Sequence, residues 1–212
     1  MAIGGGIIGG LIGAVAEALL GSLSAYWLEG LRERRHERKE LIDLARNWAA
    51  QGRPDKFRYA DLGKADLRHV RLCRDEHGNH GADLAHANLR RANLWKADLR
   101  GACLAGANLA RANLRDVQLR EARMRETNLS LADLSTADLV EADLQRANLS
   151  RANLFRADLG GADLEGANLN GTNLSGADLR WARLSGTIFD QATQVDAKWR
   201  LVREIVTQGA PE

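Results

Sequence analysis

Large apolar residues in this chain recur neither at every second position nor at helical spacing, but at every fifth. From Leu84 through Leu89, Leu94 and Leu99 to Leu184 and Phe189, one stands at the centre of 22 consecutive five-residue units. Met124 and Phe189 are the only centres that are not Leu, and the residue two before the centre is Ala in 18 of the 22, the others being Val117, Thr127, Thr172 and Thr187. One large and one small apolar position are thus held separately in every unit.

A period of five matches neither 3.6 nor 2, so no long helix and no plain strand keeps these residues on one buried face. The chain must turn once per unit. If each unit forms one side of a square coil, four units close a turn, Leu and Ala point inward and three positions face out. Coils then stack by backbone hydrogen bonds at about 4.8 Å. The 22 units make about five and a half turns, a solenoid roughly 26 Å long.

The units Ala87-Asn88-Leu89-Arg90-Arg91, Ala97-Asp98-Leu99-Arg100-Gly101 and Ala162-Asp163-Leu164-Glu165-Gly166 resemble the pentapeptide-repeat proteins. The resemblance covers about two thirds of the chain and implies an all-β solenoid, the family's right-handed quadrilateral β-helix. It implies a fold rather than an activity, because members differ in function.

Composition narrows the function classes. Aromatic residues are 5% of the chain, so its interior is built from Leu and Ala, and the formal net charge of +2 by itself argues for no partner. The two cysteines, Cys73 and Cys103, make no disulfide framework, which favours a reducing compartment. An interior filled by repeated Leu and Ala leaves no obvious cavity. There is no phosphate-cradling Gly loop and no nucleophile with a base at recognisable spacing, so no enzyme, small-molecule substrate or cofactor is expected.

The sequence before the repeats reads differently. Between Ile3 and Leu28, 16 of 26 residues are apolar, seven are Gly and one, Glu17, is charged. A helix of that length reaches about 39 Å, enough to cross a hydrocarbon core of roughly 30 Å. Tyr26 and Trp27 follow as interface residues, then Arg32, Arg34 and Arg35 as a positive cluster, which predicts a single-pass bacterial inner-membrane protein with its N-terminus outside and its β-helix in the cytoplasm. Gly6, Gly10, Gly13, Glu17, Gly21 and Ser24 fall close to one helical stripe. Such a stripe predicts helix self-association that shelters Glu17 in a homo-oligomer, or lines a polar path through the membrane. The opposing reading is a Gly-rich helix folded back on the solenoid.

The expected domains are 1–30, the Gly-rich transmembrane and self-association helix; 31–54, a basic segment and cap on which Leu41, Leu44, Ala45 and Trp48 recur at helical spacing; 55–190, the β-helix; and 191–212, a capping helix and tail. Asp196 is placed to cap that last helix, whose apolar stripe is Trp199, Val202, Ile205 and Val206. Phe57, Leu62, Leu67 and Leu72 form a starting coil, and a loop then breaks the register before Leu84. Its Cys73, Asp75, His77 and His80 are competent ligand types, but nothing elsewhere completes a metal shell, and the loop reads as a surface turn.

Residues 20 apart stack. Asn88, Asn108, Asn128, Asn148 and Asn168 form one ladder, and Asp98, Gln118, Asp138, Asp158 and Asp178 another, with roles in bonding along the axis or to the corner backbone. Arg91, Arg111 and Arg151 share one column, and Trp95 and Phe155 share the next face. Arg beside exposed aromatics is the candidate docking surface for a protein partner. The sequence thus reads as a membrane-anchored, non-enzymatic interaction scaffold. The alternative implied by the family resemblance is a DNA mimic that binds DNA gyrase. That mimicry needs an acidic rod, whereas residues 82–189 carry 14 basic and 13 acidic side chains, and nucleic acid itself is not an expected partner.

Overall fold

A computed structural model of the chain describes residues 33–48, 57–58, 60–73, 81–197 and 199. The chain divides into two compact units, Met1–Glu40 and Leu41–Glu212. In the first, the described residues 33–40 are helical and almost wholly exposed. The second is a four-sided solenoid.

Its sides are defined by ladders of parallel bridges. The first side runs Asp61, Asn88, Asn108, Asn128, Asn148, Asn168, Ile188; the second Asp66, Asn93, Asn113, Asp133, Asn153, Asn173, Gln194; the third Arg71, Asp98, Gln118, Asp138, Asp158, Asp178; and the fourth Asp83, Cys103, Arg123, Asp143, Asp163, Arg183. Inside, every centre from Leu62 to Leu174 is at most 1% exposed, and the Ala positions pack between them. Where Thr replaces Ala, its buried hydroxyl donates to a carbonyl one coil away, Thr127 to Leu104 and Thr172 to Leu149, both at 2.8 Å.

The five positions of a unit divide the backbone bonding between them. Leu89 N–H donates to Asn108 C=O at 2.8 Å, Arg91 N–H to Ala110 C=O at 3.0 Å, Asn108 N–H to Ala87 C=O at 2.9 Å, and Ala92 N–H back to Leu89 C=O at 3.0 Å. One N–H per unit is left over, that of the residue after the centre. The Asp or Asn side chain accepts it: Arg90 N–H donates to Asn88 Oδ1 at 3.2 Å and Ala110 N–H to Asn108 Oδ1 at 3.1 Å. A short acceptor two residues back is what this Asx turn requires, which is why the position before each centre is so restricted.

The second residue after the centre turns the corner in the left-handed region. Among the described residues, sixteen other than Gly adopt positive φ in this way, Arg91 at 58° and Arg151 at 57° among them. Each such residue costs roughly 1–2 kcal/mol relative to an ordinary conformation. Its paired N–H and the buried Leu beneath it offset that cost in every unit.

The five-residue register shifts in two places. Asp83 pairs with Cys103 on the fourth side, and Asp61 with Asn88 on the first. Leu84 is therefore the side directly after Leu72, with seven residues inserted at that corner, and the gap is closed by Ala82 N–H donating to Leu72 C=O at 2.9 Å. At the other end one further residue is inserted, so that Asn173 pairs with Gln194 and Val195 adds a side beyond Phe189.

Both ends are covered. Ala45 and Trp48 are buried, with Leu41, Ile42 and Leu44 packed on the core, and the Arg46 guanidinium donates twice to Asp66 C=O at 3.1 and 2.9 Å. At the far end the carboxylate of Asp190 accepts from Gly171 N–H at 2.8 Å, and that of Asp196 from Gly176 N–H at 3.1 and 3.2 Å. The two stand in for carbonyls of a missing coil. Asp196 was expected to cap its own helix; instead its main-chain carbonyl accepts from Trp199 N–H at 2.9 Å while its side chain reaches the coil below. Val202, Ile205 and Val206 lie outside the described residues.

Candidate functional site: an unpaired basic face

Because the sides follow one another around the coil, the first and third are opposite faces. Between residues 88 and 171 the first side carries Arg90, Arg91, Arg111 and Arg151 and no acid; its ladder is neutral Asn throughout. Between 98 and 181 the third carries Asp98, Glu121, Asp138, Glu141, Asp158 and Asp178 against Arg100, Arg120 and Arg180. A nearly neutral chain is thus built with one basic and one acidic face.

Pairing sharpens the contrast. On the third side Arg100 holds Asp98 at 2.7 Å, Arg120 lies 3.5 Å from Asp138, and Arg180 holds Asp178 at 2.6 Å. On the fourth Arg183 bridges Asp163 and Glu165 at 2.8 Å each, and Arg125 pairs with Asp143. Burial pushes the Asp98 carboxyl up, but the Arg100 guanidinium and backbone N–H outweigh it and hold the group below the usual carboxylate range. Arg90, Arg91, Arg111 and Arg151 form no ion pair with any described residue.

The corner column of the first side is regular. Arg91, Arg111, Leu131 and Arg151 have φ of 58°, 61°, 60° and 57°. Their side chains therefore leave the backbone alike, one coil or about 4.8 Å apart. Gly171 ends the column, and a Cβ there would stand 3.2 Å from Arg151 Cγ, so the Arg151 stem lies along this glycine. Leu131 breaks the run of charge. It is 44% exposed in a conformation that favours Gly, and the fold alone gives no reason for it.

The aromatic pair on the second side is less alike than the sequence implied. Phe155 is 39% exposed, with the Arg156 guanidinium 5.0 Å from its ring centroid. Trp95 is half-buried: its Nε1–H donates to Asp116 at 3.1 Å, His69 meets its ring edge-on at 5.0 Å, and Lys96 Nζ lies 4.7 Å from the ring. Hydrogen bonds from the Thr136 hydroxyl and Trp95 hold Asp116 below the usual range. Trp95 therefore ties coils together, and Phe155 is the more available of the two. Arg115 and Ser135 lie between them in the same column.

Of the other expected site residues, Gly6, Gly10, Gly13, Glu17, Gly21, Ser24, Tyr26, Trp27 and Arg32 lie outside the described residues, as does the apolar N-terminal helix they were assigned to. Arg34 and Arg35 are exposed on the helical stretch 33–46. That stretch is crowded with charge and spans about 21 Å, and no helix among the described residues is long and apolar enough to cross a membrane. The single-pass inner-membrane placement is corrected on that ground. Cys73 is buried, and burial followed by the Asp98 charge pushes its thiol up; Asp75, His77 and His80 are outside the described residues.

Sequence reasoning passed over Arg90, Leu131 and Trp181, a third-side corner residue at φ 64° that is 90% exposed. Counting charge by column, 20 residues apart, finds the first two. Counting it over the whole repeat block averages them away.

These features define a four-sided repeat solenoid with an asymmetric charged exterior. The model of the family of pentapeptide repeats matches in eight copies, over residues 80–116, 112–151 and 152–191. That is just over half of the chain, which belongs to the pentapeptide-repeat family. Among solved structures it is similar to the pentapeptide-repeat protein Rfr23 of the cyanobacterium Cyanothece 51142, with 33% identity over 65% of this chain and 88% of that one and a TM-score of 0.38. It is also similar to alr5209 of Nostoc PCC 7120, with 37% identity over 51% and 84% and a TM-score of 0.29. Trypsin-treated QnrB1, a plasmid-mediated fluoroquinolone resistance protein, shares 20% identity over 74% and 88% with a TM-score of 0.38. No curated protein matches the chain at a significant level.

Proposed function

We propose that the chain is a non-enzymatic docking module whose solenoid presents its first side, with Arg91, Arg111 and Arg151, and the neighbouring edge at Phe155 and Trp95, to an acidic surface of a protein partner. The observation that carries this reading is the absence of acids from that side between residues 88 and 171. The third and fourth sides of the solenoid place a carboxylate beside most of their arginines, so the fold can neutralise such charges. Leaving four unpaired on one side adds self-repulsion and lends the fold nothing. An acidic partner relieves it, and Arg with aromatic residues is the composition enriched at such contacts.

The DNA-mimic reading, with DNA gyrase as partner, comes from the family resemblance and finds its structural support in the acidic third side. There Arg100, Arg120 and Arg180 pair with Asp98, Asp138 and Asp178 and neutralise three of the six acids, which interrupts the run of negative charge, so the basic side is favoured. A photocrosslinking residue placed at Ser130 of the full chain in its native cells tests the choice. The expected product is one protein adduct, lost in R91E/R111E/R151E and kept when Arg100, Arg120 and Arg180 are reversed. An adduct indifferent to the first-side reversal, or inhibition of gyrase by the isolated protein, overturns the reading.

A further inference from the structure

Resting on the reading of the first side as a docking face, we propose that the partner element is an acidic α-helix lying along the solenoid axis. Its carboxylates face Arg91, Arg111 and Arg151, and one apolar side chain faces Leu131. The argument begins with spacing. Corner side chains that share one backbone conformation stand at about 0, 4.8, 9.6 and 14.4 Å along the axis. Helix residues i, i+3, i+7 and i+10, at 1.5 Å per residue, stand at about 0, 4.5, 10.5 and 15.0 Å. The two series agree within about 1 Å at every level, and at 100° per residue those four positions fall within a stripe about 80° wide. An extended strand places same-face side chains about 6.7 Å apart, which misses Arg111 by nearly 2 Å and offers three contacts where four are presented.

Leu131 then selects among anions. A nucleic-acid backbone brings charge at every step, and an exposed leucine between two arginines desolvates phosphate without compensation. A helix can alternate acid, acid, apolar, acid down one face. Leu131 also occupies a corner where glycine would sit at no conformational cost, as Gly171 does two coils above in the same column at φ 66°. The apolar side chain is retained there against local preference, which a contact with the apolar residue of a partner explains.

The test uses the full chain and synthetic probes followed by fluorescence anisotropy at low salt. The first probe is a stapled helix with Glu at positions 1, 4 and 11 and Leu at position 8. A second has the same composition with Leu and Glu exchanged between positions 4 and 8. A third carries prolines that forbid the helix, and a fourth is a single-stranded oligonucleotide. The in-register helix is expected to bind at least tenfold more tightly than the other three. Leu131→Gly is expected to erase its preference over the exchanged peptide without lowering the melting temperature, because glycine suits that corner. Equal binding of exchanged or proline-bearing peptides, tightest binding of the oligonucleotide, or no binding at all overturns the helix assignment. The adduct at Ser130 reports separately whether the first side is a docking face.

Discussion

The first and third sides of the solenoid are the same backbone with opposite exteriors. Both stack Leu on Leu, turn corners through positive φ and hold the leftover N–H with a side chain two residues back. Yet the first uses Asn at every described level from 88 to 168 and leaves its arginines unpaired, whereas the third uses Asp98, Asp138, Asp158 and Asp178 and pairs three of these four with Arg. The comparison separates what the repeat demands from what it leaves open. Stacked Leu and a left-handed corner are demanded; a side-chain acceptor at the corner is usual rather than obligatory, since Gln118, Cys103 and Arg123 take its place at some levels, and its charge and its neutralisation by a guanidinium are left open. Freedom of that kind is where a partner can be specified without cost to the fold.

The largest effect should come from treating both sides as one interior. Leu129 lies beneath the first side and Leu139 beneath the third, both fully buried. Either replaced by Arg places an unpaired charge in the stack at a cost of several kcal/mol, so cooperative thermal unfolding by circular dichroism should be lost in both variants alike. Survival of one and not the other would show that the interior, too, is asymmetric.

Much of that interior was legible because a period of five with fixed Ala and Leu admits few packings. The Asx role of Asn108 or Asp138 was legible as well, since a short acceptor before a turn has few other uses. The break before Leu84 was legible but its length was not, because spacing modulo five cannot tell which side a residue belongs to; only the pairing of Asp83 with Cys103 does so. Trp95 looked like an exposed anchor because its partners His69 and Asp116 come from other coils, distant in sequence. The basic face was half seen, in three arginines of one column, and its freedom from acids went unread because the repeat block was counted as one body.

A middle-sized effect follows from acid. Arg90 N–H on the first side is held by the neutral amide oxygen of Asn88 at 3.2 Å, and Arg100 N–H on the third by the carboxylate of Asp98 at 3.3 Å. The folded pKa of Asp98 is depressed, because its hydrogen bonds with Arg100 outweigh burial. The stability it lends is therefore fully present above the unfolded carboxylate value of about 3.9 and is lost as pH falls through the lower folded value. Asn88 does not titrate. As pH falls below about 4, amide exchange of Arg100, corrected for its intrinsic rate, should accelerate relative to that of Arg90. Parallel behaviour would mean that the carboxylate lends the corner no more than the amide does.

The smallest effect discriminates most sharply between the two faces, since it turns on sign. Arg111→Gln removes a charge that forms no ion pair with any described residue and stands one coil from Arg91. Its effect on stability should lie within about 0.5 kcal/mol, on the stabilising side at low ionic strength, because only repulsion is lost. Arg100→Gln removes the partner of a buried carboxylate. Solvent reaches that guanidinium and screening discounts the pair, so the loss should be about 1 kcal/mol, at the upper end for pairs of this kind. Added salt should shrink the first effect toward zero, since it is a long-range repulsion between exposed charges. It should shrink the second only in part, since Asp98 is sheltered. Urea unfolding of both variants at low and at high ionic strength measures the four values. If Arg111→Gln destabilises as much as Arg100→Gln, the first-side arginines serve the fold, and the case for a face kept open for an acidic partner loses its foundation.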